Sequence, residues 1–105
     1  MAHTAHNGQR YEVHCSGAIA KELLQIQKRA KAEGRGDAVL VVIRALHNRL
    51  VHDPLELGEP LYHLPKLRLQ VRHCALGPLL LDFAVHEDKP LVFIKGAALL
   101  PQRLS

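Results

Sequence analysis

The residues of this sequence best suited to chemistry are charged and titratable side chains in its C-terminal half. Arginine and lysine bind phosphate oxygens and stabilise negative charge that develops during phosphoryl chemistry, whereas histidine transfers protons near neutral pH. An aspartate among them either takes part in proton transfer or simply pairs with a neighbouring cation on a solvated surface. The five residues assigned to this set are Arg68, Arg72, Asp82, His86 and Lys95.

The elements that position these side chains are predicted strands, because apolar and polar residues alternate from Leu67 onward. Gly77-Pro78 ends the first strand, and the second and third cover residues 79–86 and 91–97, joined by a turn at 87–90. These short connections favour an antiparallel meander.

The alternation also predicts which face each side chain occupies. If Leu67, Leu69 and Val71 face the core, Arg68, Gln70 and Arg72 face outward. The same argument turns Asp82, His86, Phe93 and Lys95 outward, opposite Phe83, Val85, Val92 and Ile94. We therefore expect the charged set to gather on one open face of a sheet.

The N-terminal half predicts one short strand and two helices. Residues 10–16 alternate as a strand, Ser16 is the expected N-cap of a helix over 18–33, and Gly34 is its expected C-cap. Asp37 is the expected N-cap of a second helix over 38–52, although the apolar run 38–43 also fits a strand.

Residues 53–66 contain three prolines and predict a loop, with or without a single turn. Within this loop, Tyr62 and His63 either stack on a base and donate a proton, or anchor the loop. The whole order is β-α-α-β-β-β, an α+β fold. We expect a twisted antiparallel sheet with a helical hairpin on one face and the other face open.

Length and composition limit the class of protein. The 105 residues, 48% of them hydrophobic, suffice for one domain, with residues 1–9 as a flexible N-terminus and 10–105 as the domain. No apolar run is long enough to span a membrane and no signal core is present, so a cytoplasmic protein is expected. The net charge of +4 suits an anionic partner: nucleic acid, an acidic protein segment or a membrane surface. Of these, a membrane is not expected as a partner.

No metal or other cofactor is expected. Cys15 and Cys74 stand far apart and no CxxC motif is present, so both are interpreted as free thiols. The eight histidines include no HExxH motif, and their one tight pair, His3 and His6, lies near the N-terminus.

Several short stretches follow one another in an order that resembles a known family. They are RYEVHCS (10–16), the helical hairpin, RLVHDP (49–54), GEPLYHLP (58–65), LRLQVRH (67–73) and DFAVHEDKPLVFI (82–94). Together they span about residues 11–101, and they resemble the RelE/ParE superfamily of bacterial toxins.

This resemblance implies a toxin of a bacterial toxin–antitoxin system, bound by a cognate antitoxin protein. RelE-like members cut mRNA on the ribosome without a metal, with the 2′-hydroxyl of the RNA as nucleophile, whereas ParE-like members poison DNA gyrase. Arg68 and Arg72 match basic positions of the family and would bind phosphate. Tyr62 and His63 are further candidate RNA contacts, and Asp82, His86 and Lys95 are the candidate catalytic residues.

Two departures from the family pattern leave three functions open. The family's Gly-aromatic-Arg is Gly77-Pro78-Leu79 here, and residues 96–101 are small and apolar where the family carries arginine, histidine or tyrosine. The first function is an endoribonuclease that acts on mRNA. The second is a protein-binding or homodimerising module that uses Leu99 and Leu100, and the third is a ParE-like gyrase poison.

Overall fold

The protein was examined as a computed structural model, which describes residues 9–101. The predicted flexible segment 1–9 therefore lies outside the described residues except for Gln9, and so does the end of the chain from 102 onward. The elements are β1 (Glu12–His14), α1 (Gly17–Ala32), α2 (Gly36–His52), a short 3-10 helix (Pro54–Glu56), β2 (Glu59–Leu64), β3 (Leu69–Leu76), β4 (Leu79–His86) and β5 (Leu91–Leu99).

The two helices form as predicted, with one difference at a cap. The Ser16 hydroxyl accepts a hydrogen bond from the Ile19 backbone N–H at 3.2 Å, and Gly34 takes a φ of 78° just after α1. Asp37, however, is not the N-cap of α2. That position belongs to Arg35, and Asp37 lies in the first turn, where its negative charge suits the helix dipole.

The five strands form one mixed sheet, in the order β1-β5-β4-β3-β2. The predicted antiparallel meander is confirmed for β3 to β5, and β2 extends it. β1, however, runs parallel to β5 and pairs Glu12–His14 with Leu91–Phe93. β1 can run parallel to β5 because two helices lie between β1 and the other strands in the sequence. Parallel neighbouring strands need such a long connection.

Strand β2 corrects the prediction of a loop over residues 53–66. Proline is tolerated in β2 because β2 is an edge strand that pairs only with β3. Gly58, just before β2, has a φ of 67°, and a Cβ there would approach the His73 carbonyl oxygen to 2.1 Å. This position therefore requires glycine.

The core lies between the helices and one face of the sheet. The face of β4 that meets the helices consists of four alternate residues, and all four are at most 4% exposed. The buried residues of this layer include Ile26, Ala30, Val39, Leu46, Leu50, Leu79, Leu81, Phe83, Val85 and Val92. Phe83, Val85, Val92 and Ile94 thus pack inward, as predicted.

The prediction of which β3 side chains face the helices was wrong, because the two faces of the strand are exchanged. Arg72 pairs with Phe83 and Gln70 pairs with Val85, so both polar side chains belong to the face that meets the helices. Leu69 and Val71 consequently belong to the open face. The alternation misled because apolar residues occupy both faces of β3, and the pattern alone does not say which apolar set meets the helices.

Candidate functional site on the open face of the sheet

The open face has an apolar centre surrounded by histidines. Val71, Ala84 and Phe93 occupy neighbouring positions on β3, β4 and β5. Val71 is 2% exposed and Ala84 0%, so this apolar centre is shielded from water. The polar side chains around it are His14, Tyr62, His73, Asp82 and His86.

A histidine–aspartate pair crosses from β3 to β4 on this face. His73 lies opposite Asp82 in the register, and the His73 Nδ1 atom is 2.5 Å from Asp82 Oδ1. With Nδ1–H donating to the carboxylate, Nε2 of the neutral ring is an acceptor. Both side chains are nearly half exposed, so a substrate can reach Nε2.

The pair borders a cavity of about 300 Å³. Its other walls come from Leu80, from Glu22 of α1 and from Gly96–Ala98 of β5. The short side chains of that last segment leave the space open, and a Cβ added at Gly96 would meet no atom within 4 Å. A phosphate-sized group therefore has room beside His73.

Two more histidines on this face have one ring nitrogen engaged. Nδ1 of His86 accepts hydrogen bonds from the backbone N–H groups of Asp88 and Lys89, at 3.0 and 3.1 Å. The proton of the neutral ring is therefore on Nε2, which makes that atom a donor. The His14 ring stacks on Phe93 with centroids 5.6 Å apart, and its Nε2 lies 2.7 Å from a Glu12 carboxylate oxygen.

Arg72, predicted to bind phosphate, is instead buried among backbone carbonyls. Its guanidinium donates to the carbonyl oxygens of Leu57 and Gly58, both at 3.1 Å, and to the Gln70 side-chain oxygen at 2.7 Å. The residue is only 7% exposed. Arg72 thus fastens the segment before β2 to the sheet, because these carbonyls need a buried donor.

Arg68, the second predicted phosphate ligand, lies in the turn between β2 and β3 at a φ of 59°. Its guanidinium donates two hydrogen bonds of 2.7 Å to the carboxylate of Asp88. This hydrogen bonding raises the pKa of Arg68 and lowers the pKa of Asp88. Arg68 therefore joins the β2–β3 turn to the β4–β5 turn and lies apart from Arg72.

The remaining predicted residues are only partly brought together. Asp82 and His86 share one face of β4, and exposed Lys95 occupies the bulge next to Gly96, the partner of Asp82. Tyr62 and His63 are neighbours in a strand and so occupy opposite faces, which excludes joint stacking on one base. His63 pairs with Glu87, and Tyr62 is exposed opposite Val71.

Sequence reasoning missed His73, although a signal for it was present. Gly77-Pro78 forms a two-residue turn that pairs Leu76 with Leu79. Counting back along both strands from that pair places His73 opposite Asp82.

The excess positive charge was also predicted in the wrong part of the molecule, on the sheet. Residues 17–52 carry seven Lys or Arg against three Asp or Glu, while 53–101 carry five against six. The excess positive charge belongs to the helices.

No protein-family model, curated protein or solved structure matches this chain. Within residues 9–101, no group of three or more histidine, cysteine, aspartate or glutamate side chains is placed to hold a metal ion. Neither described helix is long and apolar enough to cross a membrane.

Proposed function

We propose that this chain is the toxin-like component of a bacterial toxin–antitoxin system. In this proposal it has a RelE/ParE-like fold, acts in the cytoplasm and cleaves mRNA on the ribosome without a metal. The observation that carries the proposal is the His73–Asp82 pair, a proton acceptor held by a carboxylate beside an open cavity. The element order that suggested the family also supports it.

The proposed chemistry uses the RNA as its own nucleophile. Nε2 of His73 removes the proton of a 2′-hydroxyl, whose oxygen bonds to the adjacent phosphorus while the bond from phosphorus to the 5′-oxygen breaks. Asp82 holds the ring and stabilises the imidazolium that forms. The departing 5′-oxygen takes up a proton from water. Lys95 lines a different cavity, together with His14 and Phe93, and in this proposal its charge contacts a neighbouring phosphate of the RNA.

The role of His86 differs in this scheme from the one first predicted. His86 is four residues from Asp82 along β4, a distance of about 13 Å along an extended strand. A phosphate held at His73 is therefore out of its direct reach. With its proton on Nε2, His86 donates instead to a neighbouring part of the RNA, for which exposed Tyr62 offers a stacking surface.

The test is induction of the chain in a bacterial host, with growth and new RNA 5′ ends as readouts. Wild type is compared with His73→Ala, with Asp82→Asn and with a control, His52→Ala, at the exposed end of α2. Wild type and the control arrest growth and produce new RNA ends, while both variants of the pair do neither at matched soluble expression. Equal toxicity of His73→Ala and wild type would refute this site.

The intramolecular hydrogen bonds of two arginines favour a second candidate function, a protein-binding module without catalysis. Arg68 and Arg72, the two phosphate ligands that the resemblance implies, are engaged in hydrogen bonds within the protein. Harmless induction of wild type, with intact RNA, supports this second function over the first.

A further inference from the structure

Within residues 9–101, two-thirds of the last strand lacks a neighbouring strand on one side. β5 runs from Leu91 to Leu99, but β1 pairs only with Leu91–Phe93. From Ile94 onward, β5 therefore pairs with β4 alone and presents its other edge outward. Such an edge offers backbone N–H and C=O groups to any extended chain that approaches.

Side chains of α1 occupy the hydrogen-bonding positions that a further strand would take. The Ala97 N–H donates to the Glu22 carboxylate at 3.3 Å, and Arg29 donates to the Leu99 carbonyl oxygen at 2.9 Å. Ala97 and Leu99 are alternate residues, so their backbone groups point to the same edge. Polar groups of this edge are thus paired with side chains, whose hydrogen bonds an incoming strand can replace.

A groove runs along this edge and has room for an extended chain. It encloses about 630 Å³ between α1, with Gln25, Lys28 and Arg29, and the small residues Ala97 and Ala98 of β5. The missing side-chain bulk lets another backbone approach β5 to strand distance, about 4.8 Å. The exposed part of the edge, Ile94–Leu99, accommodates a strand of about six residues.

The charge along the groove indicates the chemistry of the occupant. α1 carries Lys21, Lys28, Arg29 and Lys31 against one glutamate, Glu22. Of these residues, Lys28, Arg29 and Glu22 line the groove, so its lining is net positive. A second copy of this chain, paired edge to edge, would bring two such basic helices together and is disfavoured by their repulsion. An acidic segment is attracted, and Arg29, once released from Leu99, pairs with its carboxylates.

We propose that the outer edge of β5 between Ile94 and Leu99 accepts an extended acidic segment of another protein as an additional strand. Backbone hydrogen bonds to Ala97 and Leu99 hold the segment, while Lys28 and Arg29 select its charge. The groove and the cavity beside the His73–Asp82 pair share Glu22, Ala97 and Ala98. The inference still does not depend on RNA cleavage, because peptide binding is measured in the absence of RNA.

The test measures binding of a labelled alternating Val-Glu peptide of about eight residues, enough to cover the free edge. It uses the full chain and fluorescence anisotropy at low salt. Two matched peptides serve as controls: a Val-Lys peptide of the same length, and a Val-Glu peptide whose backbone is N-methylated at alternate residues. The Val-Glu peptide binds, and each control binds about tenfold more weakly or not at all.

Protein variants then locate the bound peptide. Lys28→Glu with Arg29→Glu weakens binding about tenfold, whereas the single-charge reversal Lys31→Glu, outside the groove lining, has a much smaller effect. On binding, amide hydrogen exchange slows at Ala97 and Leu99.

Three outcomes would overturn the inference. Equal binding of the N-methylated and parent peptides excludes strand pairing, and equal binding of the lysine and glutamate peptides excludes the charge selection. Displacement of the peptide by single-stranded RNA, with loss of RNA binding in the Lys28→Glu/Arg29→Glu variant, would make the groove an RNA site instead. Because the peptide comparisons use wild-type protein, they decide the matter even if the double variant fails to fold.

Discussion

The two faces of the sheet both carry polar side chains, but on the face against the helices these are buried and hydrogen-bonded within the protein, whereas on the open face they are partly exposed. On β3, Arg72 is buried toward the helices with its donors on Leu57, Gly58 and Gln70, while the adjacent His73 is half exposed with one ring nitrogen free. Cys74, the next residue, is buried again. His73 thus differs in role from Arg72 and Cys74 because the strand turns alternate residues to opposite faces, and residue type alone does not assign the role.

The largest expected contrast concerns the two thiols. Burial raises the pKa of Cys74, which lies against the helices, whereas Cys15 is exposed after β1. In the native protein, Cys15 should therefore react quickly with a thiol reagent. Cys74 should be slower by a factor on the order of 10³, because its reaction needs local or global opening. Reaction traces of wild type, Cys15→Ser and Cys74→Ser test this, and two equally fast thiols would contradict the burial of β3.

A comparison of Arg72 with His73 tests stability on the two faces. Arg72→Ala leaves the buried Leu57 carbonyl oxygen and the partly buried Gly58 carbonyl oxygen without their donor, and is expected to lower the free energy of unfolding by about 3 kcal/mol. His73→Ala removes a half-exposed pair and is expected to cost less than about 1 kcal/mol. Urea unfolding of both variants measures the difference. Similar losses would mean that the open face contributes to stability as much as the face against the helices.

The smallest expected effect concerns the exposed pair Arg68–Asp88 that joins the two turns. Because Arg68 lowers the pKa of Asp88, the pair stabilises the fold fully above the ordinary aspartate value of 3.8, and this contribution is lost as the pH falls below it. The unfolding midpoints of wild type and Asp88→Asn should therefore differ slightly near neutral pH and converge in acid. A difference that grows as the pH falls would contradict this direction.

The sequence predicted the elements better than the faces. Helical spacing, the Ser16 cap and Gly34 were enough to place both helices, and the strand over 79–86 was predicted with the bounds that the structure has. β2 was missed because its prolines and exposed residues resemble a loop, and only its pairing with β3 makes it a strand. Which β3 residues face the helices depends on contacts between residues that are distant in sequence, such as that between Arg72 and the Leu57 carbonyl oxygen.

The candidate site was predicted only in part, for the same reason. Asp82 and His86 were placed on the correct face, since β4 has one strongly apolar side. Arg68 and Arg72 were wrongly placed with them, because Leu67, Leu69 and Val71 were assumed to be the residues that face the helices. A guanidinium with three acceptors within reach is stable when buried.

The pairing of β1 with β5 has a consequence for how the chain folds. The helical hairpin contains only local contacts and can form while synthesis is still in progress, but Glu12 must wait for Leu91 before β1 has a partner. The sheet is therefore completed late, by the meeting of two distant segments. A chain cut before Leu91 would keep its helices and its β2–β4 meander, yet it would expose two unpaired edges and the apolar residues that β5 covers.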